Sequence, residues 1–181
     1  MTRILALSDT HLVYEIPVQL ADLAKGADLI LHAGDFVSIE VYETFAELGP
    51  LEAVRGNSDA AAIRAILPQR RVVEVGDVRL GLVHMASFSV DPTGAGFGLL
   101  AREMDVDILV FGHIHRPYVD RKDRLLICPG SPTTPRMSPP TVAEIEIGNG
   151  EVKGRILPLG EASCDYISYS RSLADGRVNK V

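Results

Sequence analysis

The sequence predicts an α/β fold in which two packed β-sheets of mixed strand order are flanked by helices. Three observations predict it. In the first third of the 181 residues, short apolar runs alternate with segments of helical periodicity. Beyond Pro68 the apolar runs come mostly in pairs joined by tight turns, the pattern of hairpins. Every apolar run is strand-sized, far below the about 20 residues that span a bilayer. The hydrophobic content of 46% is therefore spread over many short buried elements.

Residues 4–7 read as the first strand. Val18–Lys25 places its apolar residues on one helical face and is closed by Gly26. Leu29–His32 is the second strand, and Ile39–Leu48 is a helix ended by Gly49-Pro50. Residues 51–55 form the third strand, and 60–67 a short helix stopped by Pro68. Residues 72–75 and Val78–Val83 flank Gly76-Asp77 as a hairpin. Residues 97–104 are helical, Ile108–Phe111 is a buried strand, and 119–127 reads as a hairpin around 121–124. The Pro-rich stretch 129–140 is a loop. Residues 142–147 and 152–157 form a last hairpin around Gly148-Asn149-Gly150. One domain is expected over residues 1–162, followed by a polar tail, 163–181.

Bulk composition narrows the function classes. The net charge of −6 argues against a polyanion-binding groove, so a long nucleic acid is not expected as a partner. A membrane partner is not expected either. A small phosphate ester stays compatible, because a metal site carries its own positive charge. Cys128 and Cys164 are the only cysteines, which fits a reducing compartment rather than a disulfide framework. Met1-Thr2-Arg3 leads into the first strand with no signal-peptide pattern, so a cytoplasmic location is expected. The last hairpin offers a sheet edge for contact with a second copy, a homo-oligomer.

The chemistry lies at the strand ends. Ser8-Asp9-Thr10-His11 follows the first strand, Ala33-Gly34-Asp35 the second, and Arg55-Gly56-Asn57-Ser58-Asp59 the third. His84 ends Val78–Val83, and Gly112-His113-Ile114-His115 follows Ile108–Phe111. Taken singly, each piece reads as an ordinary turn or a solvated histidine. Together they supply two carboxylates, one amide and four imidazoles: Asp9, Asp35, Asn57, His11, His84, His113 and His115. That imidazole-rich set suits a pair of transition-metal ions rather than Mg²⁺ or Ca²⁺. Two divalent ions, the two carboxylates and a bridging hydroxide sum to a formal charge of about +1, which attracts a phosphate ester.

The ordered series Asp-x-His, Gly-Asp, Gly-Asn, lone His, Gly-His-x-His resembles the calcineurin-like metallophosphoesterase superfamily. The resemblance runs from Leu7 to about Arg136. The small size, and Cys128-Pro129-Gly130-Ser131 followed by Pro135-Arg136, resemble the small prokaryotic phosphodiesterases of the YfcE type. The resemblance implies a four-layer α/β/β/α sandwich holding two metal ions, Mn²⁺ foremost, with Ni²⁺, Fe or Zn²⁺ as alternatives. It implies Asp9, His11 and His115 on the first metal, Asp35 bridging, and Asn57, His84 and His113 on the second. The reaction expected is hydrolysis of a small phosphodiester by a hydroxide bridging metals about 3.5–4 Å apart. Asn57 and His84 would stabilise charge on the phosphoryl oxygens. A phosphomonoesterase is the nearer alternative. The other is a scaffold or binding protein on the same fold, as in a retromer subunit of this superfamily; that relative lacks the histidine of the first motif, which His11 supplies here.

Several positions depart from the family pattern. Ser58 stands where many relatives carry a histidine that protonates the leaving group, and serine is a poor acid near neutral pH. Asp59 is then a candidate acid, or the cap of the helix beginning near Ala60. Met85-Ala86 follow His84 where glycine is usual, and Met85 could narrow the pocket. Cys128 replaces asparagine and reads as a small buried residue. His32 reads as support for the metal ligands or as a core histidine. Ser131 and Arg136 lie on the Pro-rich loop, where Arg136 is a candidate phosphate contact. Pocket shape is expected to depend on loops around Tyr14, Phe36, Phe88 and Pro139-Pro140.

Overall fold

The computed structural model describes residues 1–85, 95–121 and 123–161. The polar tail, Cys164, Phe88 and Ala86 lie outside the described residues. The first sheet contains β1 (Thr2–Leu7), β2 (Leu29–His32), β3 (Leu51–Ala53), β9 (Thr141–Gly148) and β10 (Glu151–Pro158). The second contains β4 (Arg70–Val75), β5 (Val78–Val83), β6 (Ile108–Phe111), β7 (Pro117–Arg121) and β8 (Leu125–Pro129). The helices are α1 (Val18–Lys25), α2 (Ile39–Leu48), α3 (Ala61–Ile66) and α4 (Ala95–Glu103). The strand orders are β10-β9-β1-β2-β3 and β4-β5-β6-β8-β7. Each sheet has a parallel centre, β1-β2-β3 or β5-β6-β8, with antiparallel strands beside it. The sheets are mixed and flanked by helices, as the sequence predicts.

The layering follows from alternation along the strands. In β1, Ile4 and Ala6 face the layer between the sheets, where they meet Leu80, Leu82, Ile108 and Val110. Leu5 and Leu7 face the other way, beneath Leu20 and Ala24 of α1, Val41 and Phe45 of α2 and Ile63 of α3. On the second sheet, Leu109 and Phe111 of β6 lie beneath Phe97, Leu100 and Ala101 of α4. The central strands are thus buried on both faces, which is why they are apolar throughout rather than alternating. The result is helix, sheet, sheet, helix. Among the described residues no helix is long and apolar enough to cross a membrane.

The differences from the sequence reading have local causes. β3 ends at Ala53 because Val54 N–H makes the last ladder bond, to His32 O, and Arg55 N–H then turns to Pro68 O, outside the ladder. β7 begins earlier than expected, at Pro117, which an edge strand tolerates because proline has no N–H to donate. α3 begins at Ala61, and its N-cap, Ala60, makes no side-chain bond. The cap expected from Asp59 is absent because that carboxylate is engaged elsewhere, as described below. Phe36 is no part of a pocket rim. It is fully buried and stacks on His32 at 3.5 Å. The last hairpin matches its sequence signal. Asn149 and Gly150 both take positive φ, 55° and 75°, as a two-residue primed turn requires.

One ion-pair group ties β1, β9 and β10 of the first sheet. Glu144 on β9 is buried, and it accepts from Arg3 Nε at 2.6 Å and Arg155 Nε at 2.8 Å. Burial alone would raise the Glu144 carboxyl, but its bonds to Arg155 and Arg3 hold it below its ordinary value of 4.5. A depressed folded-state value means that the contribution to stability is present above about pH 4.5 and fades as pH falls below it. Between pH 6 and pH 3 the wild-type protein is therefore expected to lose more stability than Glu144→Gln. Urea midpoints at the two pH values measure this, and equal losses would refute it.

Candidate metal centre

Parallel strands in one sheet end at the same edge, so the residues after them are delivered to one place. Asp9 and His11 follow β1, Asp35 follows β2, and Asn57 follows β3. From the second sheet, His84 follows β5, and His113 and His115 follow β6. Asp9, His11, Asp35, His113 and His115 all take positive φ, between 44° and 73°. Left-handed backbone at non-glycine residues costs about 1–3 kcal/mol each and persists where the surroundings dictate it. Here it turns each chain sharply off its strand and aims the side chain inward. The glycines of the motifs make room for the convergence. A Cβ on Gly56 would lie 2.1 Å from Asp35 Oδ1, and one on Gly112 would lie 2.9 Å from Ala33 O.

Two groups of donor atoms result. Asp9, His11, Asp35 and His115 each offer a ligand atom, all within 4.8 Å of one another. His115 Nε2 lies 3.3 Å from Asp9 Oδ1 and 3.2 Å from His11 Nε2, and His11 Nε2 lies 3.3 Å from Asp35 Oδ2. In the adjoining group, His84 Nε2 lies 3.0 Å from Asn57 Oδ1, and His113 Nδ1 lies 3.0 Å from the same oxygen. Asp35 Oδ2 joins the groups, because it is also 3.4 Å from His84 Nε2. Its other oxygen is held by Ser58 N–H at 2.7 Å. All seven residues expected as ligands come together.

The hydrogen-bond chemistry of these groups suits a cation. His84 Nδ1 faces Ala33 O at 2.7 Å, and His115 Nδ1 faces Thr134 O at 2.7 Å. A carbonyl only accepts, so both Nδ1 atoms carry hydrogen, and it is through Nε2 that each ring can offer a lone pair to the cluster. Those lone pairs face carboxylate and amide oxygens, which are acceptors too. Lone pairs packed this closely call for positive charge between them, a proton or a metal ion, and mixed imidazole and carboxylate donors fit a divalent transition metal. Burial lowers the pKa of His11 and of His113, which favours the neutral, ligating imidazole. Burial would do the same to His84, but the carboxylate of Asp35 outweighs it and raises His84. In turn, burial would raise Asp35, yet the His84 bond and charge and the Ser58 bonds hold it well below the usual carboxylate range.

The supports behind the ligands are mostly backbone groups, and sequence reading missed them. The carbonyls of Ala33 and Thr134 set two histidine tautomers, and a carbonyl carries no sequence signal. Asp9 Oδ2 accepts from His113 N–H at 2.9 Å and lies 2.7 Å from Ser8 Oγ. Ser131 Oγ donates to Asp9 O at 2.6 Å. His32 is a fully buried, neutral brace. It accepts from Gly34 N–H at 3.2 Å and meets Thr10 Oγ1 at 3.2 Å, and burial keeps its pKa well below the ordinary value. Arg136 holds the site by its backbone, donating N–H to His115 O, while its side chain is exposed. Cys128 is fully buried, which pushes its thiol well above the ordinary range and leaves it inert.

Asp59 is placed neither as a helix cap nor as a free acid. Its buried carboxylate accepts from the backbone N–H groups of Gly56 at 2.6 Å, Val37 at 2.9 Å and Asp35 at 3.3 Å. It therefore ties the loop after β2 to the loop after β3. Asp59→Ala is expected to destabilise the fold by about 3 kcal/mol by leaving buried donors unpaired. Asp59→Asn, which keeps one acceptor oxygen, should lose clearly less. Denaturant titration of both variants decides, and equal stability of Asp59→Ala and wild type would refute the brace.

Comparison with known proteins agrees with this arrangement. Residues 2–150 match the family model of the calcineurin-like phosphoesterase superfamily domain. A probable metallophosphoesterase of Methanocaldococcus jannaschii is 34% identical over 161 residues, covering 86% of this chain and 80% of the relative. Among solved structures, Vps29 of Chaetomium thermophilum aligns with a TM-score of 0.71 at 22% identity, covering 90% of this chain and all of that one. Vps29 of Entamoeba histolytica, solved in complex with Zn²⁺, aligns at 0.69 and 22% identity, over 87% and 99% of the two chains. The family match over most of the chain, together with the strand-end cluster of aspartates and histidines, establishes that the protein belongs to the calcineurin-like phosphoesterase superfamily.

Proposed function

We propose that the protein is a metal-dependent phosphoesterase that hydrolyses small phosphodiesters at a dinuclear centre. The observation that carries the reading is Asp35 Oδ2, set between two imidazole nitrogens at 3.3 Å from His11 and 3.4 Å from His84. Asp9, His11 and His115 would hold one ion, Asn57, His84 and His113 the other, and Asp35 both. Mn²⁺ is the ion proposed first, followed by Ni²⁺, Fe and Zn²⁺. Divalent ions bound there supply Lewis-acid charge for a phosphoryl group and lower the pKa of water. The protein's part is to keep these donors aimed and immobile, through the Ala33 and Thr134 carbonyls and the Ser58 N–H. His84 is almost wholly buried and Asn57 is exposed, so the centre opens on the Asn57 side.

No leaving-group acid is assigned. Ser58 is exposed, but its hydroxyl is too weak an acid, and Asp59 is committed to backbone N–H groups. Substrates whose leaving group departs without a proton are therefore favoured, as aryl esters and anhydride-like esters do. The small-phosphodiesterase assignment within the superfamily rests on the short chain and on Cys128-Pro129-Gly130-Ser131.

A second reading has its own support. The likeness to Vps29 chains extends over nearly the whole described domain, and it suits a scaffold or binding protein on this fold. Fold likeness at 22% identity does not carry function. Metal content does not separate the readings either, since a Vps29 chain has been solved with Zn²⁺. Turnover separates them. Chelator-stripped protein is given Mn²⁺, Ni²⁺, Zn²⁺ or Mg²⁺ singly and assayed on bis(p-nitrophenyl) phosphate and p-nitrophenyl phosphate. The expected result is diester hydrolysis restored by Mn²⁺ or Ni²⁺ with little monoester hydrolysis. Faster monoester hydrolysis would move the substrate class to phosphomonoesters. Bound metal without turnover of either ester would favour the scaffold.

A further inference from the structure

The cavity beside the metal centre has a charge pattern that the centre does not explain. Its volume is about 460 Å³, within the range of small-molecule sites. Asn57, His84 and Met85 contribute to its lining, and Met85 is 40% exposed. Arg55, Arg64 and Arg70 line it too, and among the described residues no carboxylate does. The chain as a whole is acidic, with 24 Asp and Glu against 18 Lys and Arg. Three cations lining one cavity are therefore not what its composition would place there by default.

Two of these cations have no carboxylate partner among the described residues. Arg55 Nη1 donates to Arg64 O at 2.8 Å, which anchors one end of its guanidinium and leaves its other donors available. Arg64 lies in the last turn of α3 and is exposed. Arg70 meets Glu103 at 2.7 Å, but both side chains are largely exposed, at 42% and 66%. Such a pair contributes little and yields readily to a competing anion. The arginines come from the loop after β3, from α3 and from the start of β4, so three separate segments point charge at one space.

Resting on the phosphoesterase reading, we propose that the substrate carries a second phosphate group, seated on Arg55, Arg64 and Arg70 while the scissile phosphate lies at the metal centre. Guanidinium forks match the oxygens of a phosphate, and a terminal phosphate has the charge to engage several of them. A diester phosphate bears one negative charge and is served by the metals; the second phosphate gives the arginines a partner of their own.

The test compares thymidine 5′-(p-nitrophenyl phosphate) with the same ester bearing a 3′-phosphate, using Mn²⁺-loaded protein. The second phosphate is expected to raise kcat/KM about tenfold, the size of one or two charge-assisted hydrogen bonds. That preference should vanish in the double variant Arg64→Gln/Arg70→Gln and persist in Arg102→Gln, which removes an exposed charge outside the cavity. Calorimetric titration with thymidine 3′,5′-bisphosphate and thymidine 5′-phosphate gives a readout independent of turnover. The bisphosphate should bind about tenfold tighter to wild type and no tighter to the double variant. Hydrolysis of both esters without preference, together with equal binding, overturns the second-phosphate site and leaves the phosphoesterase reading standing. Tighter bisphosphate binding through the arginines without hydrolysis of either ester supports the site and overturns the phosphoesterase reading. Loss of the preference in Arg102→Gln as well overturns the site in favour of general charge attraction.

Discussion

Asp35→Asn is expected to fold normally and to lose the metal centre. The substitution keeps an oxygen for the Ser58 N–H, which holds Asp35 Oδ1 at 2.7 Å, so the loop after β3 stays anchored. It replaces the anionic Oδ2, which faces His11 and His84, with a neutral group. Removing groups that merely orient metal ligands costs about 10–100-fold in affinity, so removing a bridging carboxylate should cost more than about 100-fold. Elemental analysis after dialysis should show depleted metal, and turnover of the diester should fall by at least about 1000-fold. A second consequence is read without metal. Asp35 is what raises the His84 pKa against the effect of burial, so in Asp35→Asn the His84 value should fall. Proton NMR of the metal-free protein follows that titration. Wild-type metal content with wild-type turnover would sink the assignment of Asp35 as the bridge.

Gly56→Ala should unfold or severely weaken the protein, although it adds a single methyl group. The added Cβ would lie 2.1 Å from Asp35 Oδ1 and 2.5 Å from Asp35 N. A backbone nitrogen cannot rotate away, so the loops after β2 and β3 must separate. That movement strains the Asp59 contacts that tie them together. A loss of about 3 kcal/mol or more is expected, at the upper end of overpacking costs. Gly76→Ala provides the contrast. Gly76 has a positive φ, 60°, unlike Gly56, but nothing lies within 4 Å of its added Cβ. Only the left-handed backbone is strained there, at about 1–2 kcal/mol. Urea unfolding of the two variants separates steric from conformational cost. A Gly56→Ala protein as stable as Gly76→Ala would refute the close packing of the two loops.

The fold was legible where burial dictates residue type. Both faces of β1, β2 and β6 are covered, so these strands had to be apolar throughout, and the runs stand out. Helix ends at Gly26 and Gly49 and the Asn149-Gly150 turn are local events with local signals. Boundaries were less legible where long-range bonds decide them. β3 is cut short where Arg55 N–H turns away from the sheet to Pro68 O. Asp59 looked like a helix cap because its spacing from Ala60 is right for one, but three backbone N–H groups from two loops claim its carboxylate instead.

The seven proposed ligands could be named from the sequence because metal chemistry demands particular side chains and parallel strands deliver them to a common edge. The sequence alone thus determined the donor types and the strand that carries each. Only the tertiary structure decided how they meet: Asp35 Oδ2 between His11 and His84, the Ala33 and Thr134 carbonyls choosing the histidine tautomers, and three arginines collected beside Asn57. Those features rest on backbone atoms and on distances between residues far apart in the chain. Backbone carbonyls are identical in every residue, so no reading of side-chain types can place them. Packing two sheets against each other is what brings them to the site.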